Sequence, residues 1–295
     1  MKVNGNMISE KTRCVELKIW RTVFCLLLCV IALETKAQDE TIWIPAGLTD
    51  DGEEILLQTF VAKPDSPGPY PVLIFNHGSA GNAAPESVRR TFYPEAFAEV
   101  FTDRGWLVLF PQRRGRGGSG GDYAEGLNAR GGGYSCETDQ SLRGMERALE
   151  DIDFVMRHVE ARPDADLSRI VIGGQSRGGI LAVVYAGTRD TPVAGVLNFV
   201  GGWINDRCWN ATPINTESFI RGAEFSENTL WLYGLNDQFY GIGHSRTNFE
   251  AFIEAGGQGE MLEFSLPDNR NGHALILYND LWGSAVDGYF KEIEK

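Results

Sequence analysis

The sequence predicts an α/β fold: a mostly parallel, eight-stranded sheet with helices on both faces and a small lid insertion. Three observations predict it. Short apolar runs alternate with helix-like segments over most of the chain. The later runs, such as "VLIF", "WLVLF" and "VIGG", are continuously apolar, the pattern of strands buried on both faces. A length of 295 residues with 43% hydrophobic content suits one large domain.

The elements follow in order. "TIWIP" and "EILLQTFVA" flank the turn residues "TDDG", so the first two strands form an antiparallel hairpin. "YPVLIFNHG" is the next strand, and a helical segment is expected around Glu86–Asp103. "WLVLF" is a strand that opens into the glycine-rich stretch "PQRRGRGGSGGDY". Glu137–Glu160 carries Leu142, Met145, Leu149, Ile152, Met156 and Val159 at helical spacing, with Pro163 beyond its end. The strand "RIVIGG", the helix "RGGILAVVYAG" and the strands "VAGVLNFVG" and "TLWLYG" come next. A helix over Ser245–Ala255 stops at Gly256-Gly257, "EMLEFSL" is the last strand, and a final helix lies within His273–Phe290. The segment 201–228 is long for a connection and lacks periodicity, which makes it the candidate lid.

The N-terminus reads as a targeting segment. Val23–Leu33 is an eleven-residue apolar run, preceded by Lys18 and Arg21 and followed by Thr35-Lys36-Ala37. This is the layout of a secretory signal, and the run is short for a bilayer span. Residues 1–37 are therefore expected to be a signal peptide, leaving 38–295 as a single domain exported to the periplasm or medium. No stable membrane association is expected after cleavage. Of five cysteines only Cys136 and Cys208 remain in that domain, and in an oxidising compartment they are expected to be bridged.

The charge excludes one class of partner. The formal net charge is −13, and without residues 1–37 the chain holds 21 Lys and Arg against 37 Asp and Glu, a net −16. A general nucleic-acid binder needs the opposite sign. No metal-ligand spacing and no phosphate-loop motif is present. Gly115, Gly117 and Gly120 do spell G-x-G-x-x-G, but no helix follows until about Glu137, so a dinucleotide site is not expected. No cofactor is expected. That loop should instead leave a strand beside the one carrying the nucleophile and form part of a pocket wall.

The strongest signal is Gly174-Gln175-Ser176-Arg177-Gly178, a G-x-S-x-G between a strand and a helix. A sharp strand-to-helix turn presents the serine Oγ at the strand end and at a helix N-terminus. A serine nucleophile needs a base, and the base needs an acid to orient it. Only four histidines exist, and His273 sits in the loop after the last strand. Asp237 follows the strand "TLWLYG" at the same sheet edge, with Asp268 as its rival. Two backbone donors would hold the oxyanion. The N–H of Arg177 is one, and the N–H of Ser79, in "HGSAG", is the other. Arg113, Arg114, Arg116 and Arg177 could pair a substrate carboxylate or hold the loop through acidic side chains, and the second role is favoured. Trp203, Trp209, Phe239 and Tyr240 could line the pocket or pack a cap.

"NHGSAG", "RRGRGGSGG", "GGQSRGG", "GLND" and "GHA" together resemble the alpha/beta-hydrolase superfamily, and more narrowly the dienelactone hydrolase family, which is related to the S9 prolyl-oligopeptidase catalytic domain. The resemblance spans about Trp43 to Phe290. It implies hydrolysis of an ester or amide through an acyl-serine intermediate, with a small-molecule ester as the expected substrate. Typical dienelactone hydrolases carry a cysteine nucleophile where this chain has Ser176, which points to a general carboxylesterase. A serine peptidase or amidase on the same fold, and a non-catalytic binding protein, are the alternatives.

Overall fold

The structure is a computed structural model that describes residues 38–81, 83–128, 133–190 and 192–294. The expected signal segment, 1–37, lies outside the described residues. The strands are β1 (Gln38–Leu48), β2 (Glu54–Lys63), β3 (Tyr70–Asn76), β4 (Leu107–Pro111), β5 (Ala165–Gln175), β6 (Val193–Phe199), β7 (Thr229–Gly234) and β8 (Gly259–Phe264). They form one eight-stranded sheet in the order β1-β2-β4-β3-β5-β6-β7-β8. The β1–β2 hairpin and the β2–β4 pair are antiparallel, and every pair from β4 to β8 is parallel. This is the expected sheet.

Every residue of β3, β4 and β7 is buried, because layers of helices cover the sheet. The edge strand β8 is mostly half-exposed. On one side pack α1 (Glu95–Thr102) and α6 (Asn279–Ile293). Phe97 and Phe101 of α1 meet Trp282 of α6, and Phe97 also meets Phe75, Phe110 and Phe199 from three strands. A second layer holds α2 (Thr138–Glu160), α3 (Arg177–Thr188), α4 (Ala211–Arg221) and α5 (Ile242–Glu254). Of the predicted stripe, helix α2 buries Met145, Leu149, Ile152, Met156 and Val159, and Leu142 is half-buried against the core. Helix α3 is buried from Arg177 to Ala186, which is why its sequence is apolar all round.

Three expectations need correction. The helical segment placed around Glu86–Asp103 is a single turn at Pro85–Val88 and then α1, because Pro94 resets the chain at the α1 N-cap. The last helix begins at Asn279, just after the 3₁₀ segment Gly272–Leu277 that carries His273, but runs past Phe290 to Ile293. The glycine-rich loop leaves β4, which is separated from β5 by β3.

The 201–228 segment contains α4 and a 3₁₀ turn, Gly222–Glu224. Trp203, Ile214 and Phe219 of this segment lie in the common core. Because β3 to β8 run parallel, their C-terminal ends share one edge. The loops after Asn76, Pro111, Gln175, Phe199, Gly234 and Phe264 therefore converge there.

Candidate active site

Ser176 sits where β5 turns into α3 with φ 57° and ψ −119°. A non-glycine residue at positive φ is strained, and the surrounding contacts hold it there. Its N–H donates to Phe199 O at 2.9 Å, and its carbonyl accepts from Gly179 N and Gly202 N. The tight turn leaves no room beside it. A Cβ at Gly174 would collide with Gly178, and one at Gly178 with the Asn76 carbonyl. Ser176 is 5% exposed.

Asp237 and His273 meet across two loops. Asp237 Oδ2 lies 2.8 Å from His273 Nδ1. The other carboxylate oxygen accepts from Phe239 N at 2.7 Å and Tyr240 N at 3.1 Å. A carboxylate only accepts, so Nδ1 carries the imidazole proton and Nε2 is left as the basic nitrogen. The His273 side chain is 16% exposed, enough to meet a ligand at the edge. The rival Asp268 is exposed, at φ 54°. Two side chains without a sequence signature hold these loops together. Asn271 Oδ1 accepts from both Gln238 N and His273 N at 3.1 Å. Gln175, directly before Ser176, donates to His273 O at 3.1 Å.

Tyr240 reaches the same centre. Its ring lies 5.6 Å from that of His273, and its hydroxyl donates to Gly202 O at 2.6 Å. Burial pushes its phenol up to about 12, against the pull of the nearby Arg177. The four aromatics of the sequence reading divide by environment. Trp203 and Tyr240 are core, at 1% and 4% exposure. Trp209 and Phe239 are exposed at 69% and 45%, and the Phe239 ring stands 4.6 Å from that of His273. Cys136 and Cys208 are bonded, with Cα atoms 5.7 Å apart, which ties the approach to α2 to the segment before α4.

The loop after β3 passes close to the serine. A Cβ on Gly78 would stand 3.1 Å from Ser176 Cβ and 3.6 Å from Oγ. Ser79 is the next residue, half-buried. Arg177 opens α3, where the first N–H groups have no partner inside the helix.

The arginines are engaged within the protein. Arg113 Nε lies 2.5 Å from Glu125 Oε1, and both side chains are buried. Arg114 pairs with Asp151 at 2.5 Å and Glu150 at 2.9 Å. Arg116 donates to Arg90 O. Arg177 donates to Trp203 O and Glu125 O, and its guanidinium lies 3.6 Å from the Tyr134 ring centre and 4.1 Å from that of Trp203. Glu125 is the hub that sequence reasoning missed. It lies 12 residues after Arg113 and 52 before Arg177, a spacing with no local signal. Burial alone would raise its carboxyl, but Arg113 first and then Arg177 hold it at about 2. Among the described residues no cluster of His, Cys, Asp and Glu could hold a metal ion.

The family model described as "Dienelactone hydrolase family" matches residues 57–265. The dipeptidyl-peptidase 5 of Aspergillus oryzae is 25% identical over 235 residues, which are 78% of this chain and 27% of that protein. The chain thus spans about a quarter of the length of the curated relatives it matches. Among solved structures, the Pyrococcus horikoshii acylaminoacyl peptidase superposes with a TM-score of 0.58 at 15% identity, over 90% of this chain and 42% of its own. Est1E from Butyrivibrio proteoclasticus, solved with ferulic acid, superposes at 0.60 and 13% identity, over 86% of this chain and 100% of its own. These two show the fold.

Proposed function

The chain belongs to the dienelactone hydrolase family, and on that footing we propose that the protein is an exported serine hydrolase that cleaves a small carboxylic ester through an acyl-serine intermediate. The observation that carries the proposal is the pairing of Asp237 with His273 at 2.8 Å, beside a serine held at φ 57° in a strand-to-helix turn. In this reading Ser176 Oγ attacks the ester carbonyl while His273 Nε2 takes its proton. Asp237 fixes the tautomer and stabilises the imidazolium. The N–H groups of Ser79 and Arg177 receive the oxyanion. His273 returns the proton to the departing alkoxide, which leaves as the alcohol. Water, deprotonated by the same nitrogen, then releases the acid. Export rests on the apolar run 23–33 and is compatible with the Cys136–Cys208 bond.

Fluorophosphonate labelling tests the proposal. The protein without residues 1–37 should label, and Ser176→Ala should not. Label retained in Ser176→Ala would sink it. A peptidase reading has one observation in its favour, the likeness to the dipeptidyl-peptidase 5 proteins. Turnover of p-nitrophenyl butyrate against a dipeptidyl p-nitroanilide decides between them, and we expect the ester to win by at least about 100-fold, the scale of one well-chosen contact set.

A further inference from the structure

We propose that Glu125 and Arg113 are positioning residues that lock the Gly78–Ser79 peptide with its N–H facing Ser176, so that the oxyanion site is built before substrate arrives. The proposal rests on the serine-hydrolase reading above.

The geometry starts at His77, which is fully buried. The backbone N–H of Arg113 points at His77 Nε2 at 3.1 Å. A backbone N–H can only donate, so Nε2 is the accepting nitrogen and Nδ1 carries the proton. That Nδ1–H donates to Gly78 O at 2.7 Å. The Arg113 side chain adds to the grip, with Nη1 on His77 O at 2.9 Å and Nη2 near Gly78 O at 3.5 Å. Two successive carbonyls are thus turned into the protein. The Gly78–Ser79 bond is trans, so its N–H points opposite to its C=O. With Gly78 O drawn inward, the Ser79 N–H faces outward, on a loop whose Gly78 already abuts Ser176.

Glu125 holds the clamp. Its Oε1 aligns the Arg113 guanidinium at 2.5 Å, and its Oε2 accepts from Tyr123 Oη at 3.1 Å. Tyr123 Oη pairs with Tyr134 Oη at 2.7 Å, and Ala80 N donates to both, at 3.2 and 2.9 Å. The far side of the loop is therefore fixed to the same carboxylate. The Glu125 carbonyl also takes 2.6 Å from Arg177 Nη1, on the residue that supplies the second donor. One acidic residue thus reaches both donor-bearing segments. A buried carboxylate with such partners is a rigid support, because each loss would leave a charge unpaired.

The test uses the protein without residues 1–37, with Glu125→Gln and Arg113→Lys. Arg113→Lys keeps the charge pair with Glu125 but loses the fork that reaches His77 O and Gly78 O. Active sites are counted by fluorophosphonate titration, and p-nitrophenyl butyrate turnover is read per titrated site. We expect kcat per site to fall about 100-fold with KM within about threefold, the scale of one lost oxyanion donor. The inhibition constant of a trifluoromethyl ketone, whose serine adduct carries the oxyanion, should rise by the same factor. A merely structural residue would lower the number of titrated sites and leave kcat per site unchanged. That result in either folded variant overturns the proposal. Nitrogen-15 NMR of the wild-type protein tests the clamp without any variant: His77 should be protonated at Nδ1 and bare at Nε2, and a proton on Nε2 overturns it. Should the wild type neither label nor turn over ester, the hydrolase reading falls, and the His77 tautomer still decides the clamp.

Discussion

The Asp237 carboxylate divides its two oxygens between two tasks, one bonded to the His273 imidazole at 2.8 Å and one to the backbone of Phe239 and Tyr240. The second task fixes the carboxylate plane, and the first fixes the imidazole tautomer. Asp237→Asn retains the shape but offers an N–H where an acceptor is needed. We predict a fall in kcat of about 10³- to 10⁴-fold with an unchanged far-ultraviolet circular dichroism spectrum, following the behaviour of serine triads. Activity within tenfold of wild type would remove Asp237 from the site.

Gly178 has its Cβ position occupied by the Asn76 carbonyl. Adding a methyl group must push α3 away from β3. Gly178→Ala is predicted to cost about 1–3 kcal/mol in urea unfolding. It should also slow fluorophosphonate labelling at least tenfold, because the turn that presents Ser176 moves. A variant with wild-type stability and labelling would contradict the packing.

The Cys136–Cys208 bond closes a loop of 72 residues in sequence. In the chain-entropy account, a loop of this size is worth about 4 kcal/mol, and measured effects fall mostly between about 2 and 4. The double variant Cys136→Ser, Cys208→Ser should lose a stability in that range by urea unfolding under non-reducing conditions. No loss would show that the bond constrains nothing.

Stability should depend on pH in a direction set by His77. Burial first, then Arg113 and Arg116, hold its imidazole well below 6.5 in the fold. Unfolded, it titrates near 6.5. Between those values the unfolded chain binds more protons, so stability rises with pH by up to about 1.4 kcal/mol per unit. His158 and His244, also lowered by burial, act in the same sense. Glu125, held at about 2, has a folded value below its unfolded one, so its contribution is lost only as pH falls from about 4.5 towards 2. Unfolding free energy is therefore expected to be lower at about pH 5.5 than at about pH 7.5 and to level off above. Asp151, raised by burial to about 6 against the pull of Arg114, acts in the opposite sense over the same window. The comparison is therefore made in an Asp151→Asn background, where an equal value at the two would contradict a neutral, buried His77.

Much of this architecture was legible in the sequence because it is written in local pattern. The continuous apolar runs gave β3, β4 and β7, and the stripe Met145, Leu149, Ile152, Met156 and Val159 gave α2. Ser176 was legible because a strand, a tight turn and a helix are all local. Asp237 and His273 lie 36 residues apart and were reached by chain order and loop position, so their meeting at 2.8 Å required the fold. Pro94 was visible, yet its effect was not, since a proline can open a helix as well as break one. The support around Glu125 was not legible at all. It joins the loops after β3, β4 and β5, and nothing in the spacing of Arg113, Glu125, Tyr134 and Arg177 announces it. The G-x-G-x-x-G pattern even drew attention to the wrong atoms: what matters in that stretch is the buried Arg113.

The central claim is that Ser176 is a nucleophile activated by His273. The most direct measurement is mass spectrometry of the protein without residues 1–37 after reaction with a fluorophosphonate, alongside His273→Ala. We predict one adduct per chain, on the peptide containing Ser176, and a labelling rate at least about 1,000-fold lower in His273→Ala. An adduct on any other residue, or equal rates in the two proteins, would contradict the account.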